Sequence, residues 1–225
     1  MHAAQIMVVA AIIGDLLWLL AYILIIRKGF QDKTYGVPML ALALNFTWEY
    51  IYTVRFPPSD WPHIVLRWAW FLADAVIVIQ YFYYGKETGE TSKLKEYFYP
   101  ISIFTFVNAY LFQYLFRSHF YAPNGYENAF LINFLMSLLF VQFFFQRSPG
   151  LRGLSYGAAW AKMLGTAILS IIFALQRTQS IFRYEFMIYI YASTFLYDVI
   201  YIVLLARARR ANRNLPASTE EPLTV

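Results

Sequence analysis

Seven apolar runs punctuate the chain, at about 5–26, 36–55, 66–84, 97–116, 127–146, 156–175 and 185–206. Each approaches the ~20 residues that a helix needs to cross a bilayer. A backbone in hydrocarbon must satisfy its own hydrogen bonds, so runs of this length are read as helices. Composition agrees, because 60% hydrophobic and 20% aromatic residues with a mean hydropathy of +0.48 exceed the usage of a soluble domain. The pattern predicts an all-α bundle of seven transmembrane helices. Short linkers join the runs, so one membrane domain over 1–207 is expected, followed by a polar tail over 208–225 too poor in apolar residues to bury a core. The first run lacks a basic leading segment and is long enough to span, so it is expected to stay as the first helix.

Lys and Arg set the orientation of such a bundle. One set of loops, with the C-terminus, holds Arg27, Lys28, Lys33, Lys86, Lys93, Lys95, Arg147, Arg152, Lys162, Arg207, Arg209, Arg210 and Arg213. The other side holds Arg55, Arg67, Arg117, Arg177 and Arg183. Thirteen against five predicts a cytoplasmic C-terminus and an N-terminus outside. The net charge of +5 is then a topology signal, and "RARRANR" after the last run reads as an orientation anchor rather than a nucleic-acid patch. No cysteine is present, which excludes disulfides, thiolate catalysis and Cys-ligated metals.

Acids inside apolar runs are the next constraint, since an ionised group in hydrocarbon costs ~3 kcal/mol or more unless it has a partner, a cavity or a function. Asp15, Glu49, Asp74 and Asp198 all qualify. At ~1.5 Å per residue they lie roughly 12–18 Å from the expected cytoplasmic helix ends, so they share a level, as groups lining one cavity would. Bonding between helices is the competing reading, above all for Asp15 and Asp74. Cationic partners are scarce: Lys162 is the one Lys or Arg well inside a run, near enough to the cytoplasmic end to snorkel. Removal from water disfavours the charged form of a carboxyl, which makes Glu49 a candidate proton donor. Asn45 and Tyr52 share its helix face. Asp198 has Tyr191, Thr194 and Tyr201 on its own face, a more polar setting.

Nineteen Tyr, 21 Phe and six Trp are mostly interfacial belts and packing. Trp18, Trp48, Tyr52, Trp70, Tyr191 and Tyr201 fall near the acids, where ring faces can stabilise a cation in a dry space. An acid, a base and aromatic walls suit protonation of a hydrophobic substrate, carbocation rearrangement and deprotonation. Other functions fail on absences. The last helix has no lysine for a retinal Schiff base, and His2, His63 and His119 fall at ends or in loops rather than at haem depth. No phosphate loop, hydrolase triad, paired metal-ligand spacing or "DDxxD" is present. No metal or other cofactor is therefore expected. A small proton-coupled or lipid transporter remains an alternative, although no internal repeat is visible; a non-catalytic membrane assembly protein is another.

"FQDKTYG" followed by "NFTWEYIY" resembles the small integral-membrane terpene cyclases of fungal meroterpenoid and indole-diterpene biosynthesis and their bacterial relatives. "RGLSYGAAWAKMLGT" is similar to that family's entry to helix 6, and "TFLYDVIYIVLLAR" to its acid-bearing helix 7. The resemblance implies a cofactor-free cyclase that protonates a terminal epoxide or alkene of a lipophilic prenylated substrate. It places the family's glutamate on Glu49 and its aspartate on Asp198 as catalytic residues. Asn45, Trp48, Tyr52, Asp74, Asp15, Trp18, Trp70, Tyr191, Thr194 and Tyr201 would line the substrate site, in a cavity expected between helices 2, 3 and 7. Asp74, where many fungal members have an amide, and the lack of cysteine lean toward the bacterial relatives. The location implied is the plasma membrane for a bacterial protein and the endoplasmic reticulum for a fungal one. The oligomeric state stays open.

Overall fold

The computed structural model describes residues 2–88, 92–120, 124–176 and 180–214. Seven α-helices follow in order: α1 (His2–Asp32), α2 (Met39–Tyr50), α3 (Trp61–Thr88), α4 (Phe98–Phe120), α5 (Tyr126–Arg147), α6 (Tyr156–Gln176) and α7 (Tyr184–Asn214). No strand occurs among the described residues. Five of these helices, α1, α3, α5, α6 and α7, are long and apolar enough to cross a membrane. α2 has only 12 residues. In α4, Thr105, Asn108, Gln113 and several tyrosines dilute the apolar run.

The polarity is that of a lipid-facing bundle. Phe104, Ile79 and Leu175 point outward, whereas Gln113, Asn128 and Ser137 are fully buried inside. Such an arrangement is stable where the exterior is hydrocarbon and the interior supplies hydrogen bonds. At one end Gln176 of α6 reaches Met7 of α1; at the other, the Gly153 amide before α6 donates to Asp32 of α1 at 2.7 Å. α1 and α6 therefore run antiparallel. Their approach depends on small residues: a Cβ on Gly165 would stand 2.8 Å from the Gly14 carbonyl, so only glycine permits this spacing.

α2 does not end at Tyr50. It continues as a π-helical turn, Ile51–Arg55, in which the Phe56 amide donates to the Ile51 carbonyl. Pro57 then stops the chain, since the residue before a proline is driven out of the helical region, and Phe56 has φ −137° and ψ 69°. π-turns widen a helix locally and are frequent beside functional groups; this one follows Glu49 directly.

Two expected boundaries move. α3 begins at Trp61 rather than near 66, which moves Arg67 from the expected helix end into its second turn. α7 runs through the basic segment to Asn214, so the expected domain boundary at 207 falls within a continuous helix. Residues 215–225 of the expected tail lie outside the described residues.

Candidate active site

A cavity of about 210 Å³ opens between α1, α2, α3, α5 and α6. The expected cavity between helices 2, 3 and 7 is corrected accordingly: α7 contributes no lining residue. His63 and Tyr126, near the starts of α3 and α5, mark the mouth. Deeper in stand Glu49 and Asn45 of α2, Asp15, Trp18 and Tyr22 of α1, and Trp48 and Trp70. Three tryptophans around one carboxyl make an apolar wall with electron-rich faces.

Glu49 is 3% exposed. Its Oε2 has no hydrogen-bond partner. Tyr22 of α1 bonds to its carboxyl, and the same hydroxyl accepts from the Asn45 amide at 2.6 Å. The second hydrogen of that amide goes to Asp74 at 3.1 Å. Asn45 thus acts on Glu49 through Tyr22 rather than directly. Tyr22 was absent from the sequence expectation because nothing in α1 signals that its hydroxyl crosses to α2.

A second cavity of about 30 Å³, room for roughly two waters at ~10–15 Å³ each, lies behind the first and is lined by Asp74, Lys162 and Tyr201. Trp18, Tyr22 and Asn45 line both spaces and form the partition. Beyond it Lys162 donates to both oxygens of Asp198, at 2.8 and 2.9 Å, and to Ser137 at 2.7 Å. The expected snorkelling of Lys162 is corrected here. Its side chain is 6% exposed, because an ammonium placed beside a buried carboxylate loses less by turning inward than by leaving that charge alone.

The neighbours expected around Asp198 do other things. Thr194 bonds to the Ile190 carbonyl at 2.7 Å, Tyr191 packs edge-on against Phe130, and the Tyr201 ring lies against Phe140. Tyr52 is buried outside the cavity, against Trp48 and within bonding reach of Asn128. It covers Gly125, whose φ of +70° and whose distance of 2.5 Å from added Cβ to Tyr52 ring exclude other residues. Trp48 pins that turn by donating to the Gly125 carbonyl at 3.1 Å. The resulting order places Trp48 in the cavity wall with Tyr52 behind it.

Arg67 was counted only as a loop charge. It lines the cavity, is 8% exposed, and lies 4.6 Å over the Trp48 ring. Among the described residues, no three His, Asp or Glu side chains are grouped to hold a metal ion.

The described residues thus form a helical bundle with membrane-length apolar helices and an acid in a tryptophan-walled cavity. Residues 1–211 match the Pyr4-like transmembrane terpene cyclases, and the chain belongs to that family. Among curated proteins it is similar to the Pyr4-family terpene cyclase mfmH of Annulohypoxylon moriforme, 35% identical over 83 residues, 37% of this chain and 34% of that one. Terpene cyclase ascF of Acremonium egyptiacum is 36% identical over 72 residues, 32% of this chain and 26% of that one. Terpene cyclase pyr4 of Aspergillus fumigatus is 28% identical over 61 residues, 27% and 25% respectively. The aligned segments span about a third or less of those relatives. No solved structure matches the chain.

Proposed function

We propose that this protein is a membrane terpene cyclase that starts cyclisation by proton transfer from Glu49 to a terminal epoxide or alkene of a prenylated substrate. The observation that carries the reading is the orphaned Oε2 of a buried carboxyl at the wall of a tryptophan-lined cavity. In the protonated acid, Tyr22 holds one oxygen and the other is free to present its proton.

Transfer to an epoxide oxygen breaks its bond to the tertiary carbon, leaving a hydroxyl and a cation. Successive alkenes attack that cation and pass the charge along the chain. Trp18 and Trp70 stabilise it through their ring faces, each contact contributing on the order of 1–2 kcal/mol in a desolvated site. Loss of a proton from carbon ends the sequence. Glu49, now a carboxylate, and Asp15 are the carboxyls lining this space, so the proton returns to one of them. The family resemblance favours Asp198 as a second essential acid. Its ion pair with Lys162 supports instead a positioning role at the inner cavity.

Seven membrane passages with the N-terminus outside and the C-terminus cytoplasmic complete the proposal, supported by the charge bias and the alternating helices. A reporter fused after Val225 should signal from the cytoplasm; an extracytoplasmic signal would reverse the orientation. The activity itself is tested by incubating purified protein with epoxidised and plain prenylated aromatic and indole substrates, followed by mass spectrometry and NMR. Isomeric cyclic products are expected. Uptake of such compounds into vesicles without any conversion would replace the cyclase with a transporter.

A further inference from the structure

One helix face of the cavity carries hydrogen-bond donors with nothing to donate to. Arg67 and Trp70 are three residues apart in α3, so they lie side by side on one face. Both line the large cavity. The buried Nη1 of Arg67 and the buried Nε1 of Trp70 have no hydrogen-bond partner.

The other contacts of Arg67 leave that nitrogen unused. Its guanidinium face lies over Trp48, and Nη2 donates to the Asn124 carbonyl at 3.4 Å. Asp15 and Glu49 feel its charge. No carboxylate lies within 4.0 Å of it among the described residues. A guanidinium and an indole N–H can only donate. Leaving such donors buried and unsatisfied is unfavourable, more so for a charged group, so an occupant with acceptor oxygens is favoured there.

Resting on the cyclase reading above, we propose that Arg67 and Trp70 form the subsite for the substrate's head group, and that this head carries acceptor oxygen: a carboxylate, phenolate or conjugated carbonyl. An indole head, which offers an N–H and no acceptor oxygen, leaves both donors unpaired. The terminal epoxide is the other oxygen available in such a substrate. A fixed cation beside it would oppose the positive charge that protonation creates there, all the more in a partly desolvated site. That opposition places the head, not the reacting terminus, at Arg67.

Direct binding tests this without turnover. Analogues with a saturated prenyl tail, which cannot cyclise, are prepared with a phenolic carboxylic acid head, its O-methylated methyl ester and an indole head, and titrated against detergent-purified protein by tryptophan fluorescence. The acid is expected to bind on the order of tenfold or more tighter than the indole analogue, with the ester between them, as a lost charge-assisted bond predicts. Arg67→Met should erase the preference and Trp70→Phe should reduce it severalfold. Arg67→Lys, which keeps the charge, should retain part of the preference and guards against misfolding in the methionine variant; size-exclusion chromatography checks all three. A fourth analogue adds a terminal epoxide to the indole-headed tail. If Arg67→Met weakens that analogue and not the acid, the donors hold the terminus and the head-group assignment is overturned. Equal binding of acid and indole heads by the unmodified protein overturns it as well. Cyclisation without head preference defeats this inference alone, whereas head-selective binding with no cyclisation of any reactive substrate defeats the cyclase reading and leaves the subsite standing.

Discussion

Glu49 and Asp198 are each 3% exposed, yet they occupy opposite environments. Asp198 has an ammonium at 2.8 and 2.9 Å on its two oxygens, and that ammonium is also bound to Ser137. Glu49 has one phenol and an oxygen without a partner. Equal burial therefore says nothing about function by itself. A carboxyl neutralised by its own fold is already at rest, and one left incomplete at a cavity wall is available to a ligand. The same contrast extends outward. Around Glu49, Arg67, Trp70 and Asn133 each keep an unpaired buried polar atom on the cavity. Around Asp198 the neighbouring hydroxyls and rings are engaged with the protein.

The largest expected effect follows from that asymmetry. Glu49→Gln keeps the shape and the bond to Tyr22 but removes the transferable proton, so turnover should fall ~100- to 10,000-fold while the thermal midpoint in detergent changes little. Near-normal cyclisation by a folded Glu49→Gln protein would transfer the acid role to Asp15.

Lys162→Met should act on stability instead. It leaves the Asp198 carboxylate buried without its cation, a loss of ~3–5 kcal/mol that would appear as a lower unfolding midpoint. Adding Asp198→Leu to it should recover most of the loss, because a buried ion pair replaced whole by apolar groups is often close to neutral. Failure of the double variant to recover would show that the pair supports more than its own charges. Turnover of the recovered double variant separates a positioning role from a purely structural one: lost activity with restored stability supports positioning.

Tyr22→Phe is expected to have the smallest effect of the three. It removes the bond that orients Glu49 and leaves Asn45 its link to Asp74, so kcat should drop about tenfold, the order of one hydrogen bond to a charged or reacting group, with KM nearly constant. A change confined to KM would make Tyr22 part of the wall rather than the support of the acid.

Individual motifs show where the sequence was legible. The apolar runs located all seven helices because a ~20-residue hydrophobic stretch has few other stable forms. The N-x-x-W-E run placed Asn45, Trp48 and Glu49 on neighbouring turns of one helix, and all three do line the cavity. By contrast, "FQDKTYG" and "RGLSYG", which carry the family resemblance, clamp each other away from it. Gly153 and Arg152 donate to the side chain and carbonyl of Asp32. A Cβ at Gly36 would stand 2.9 Å from the Gly153 carbonyl. Arg67 was hidden for another reason: six residues into α3, it reads as an interfacial charge until the partner helices cover it.

The sequence by itself determined that this chain is helical and apolar on its surface and that acids lie within its apolar helices, since hydrophobic length and the cost of an intramembrane carboxyl are properties of a single segment. Only the tertiary structure decided which acid was neutralised and which was left open. Lys162 and Asp198 are 36 residues apart, and Tyr22 and Asn45 are 23 apart. Hydrogen-bond energies fall away within a few ångströms, so the order in which α1, α2, α3, α5 and α6 close around a cavity assigns each polar group its partner or leaves it without one.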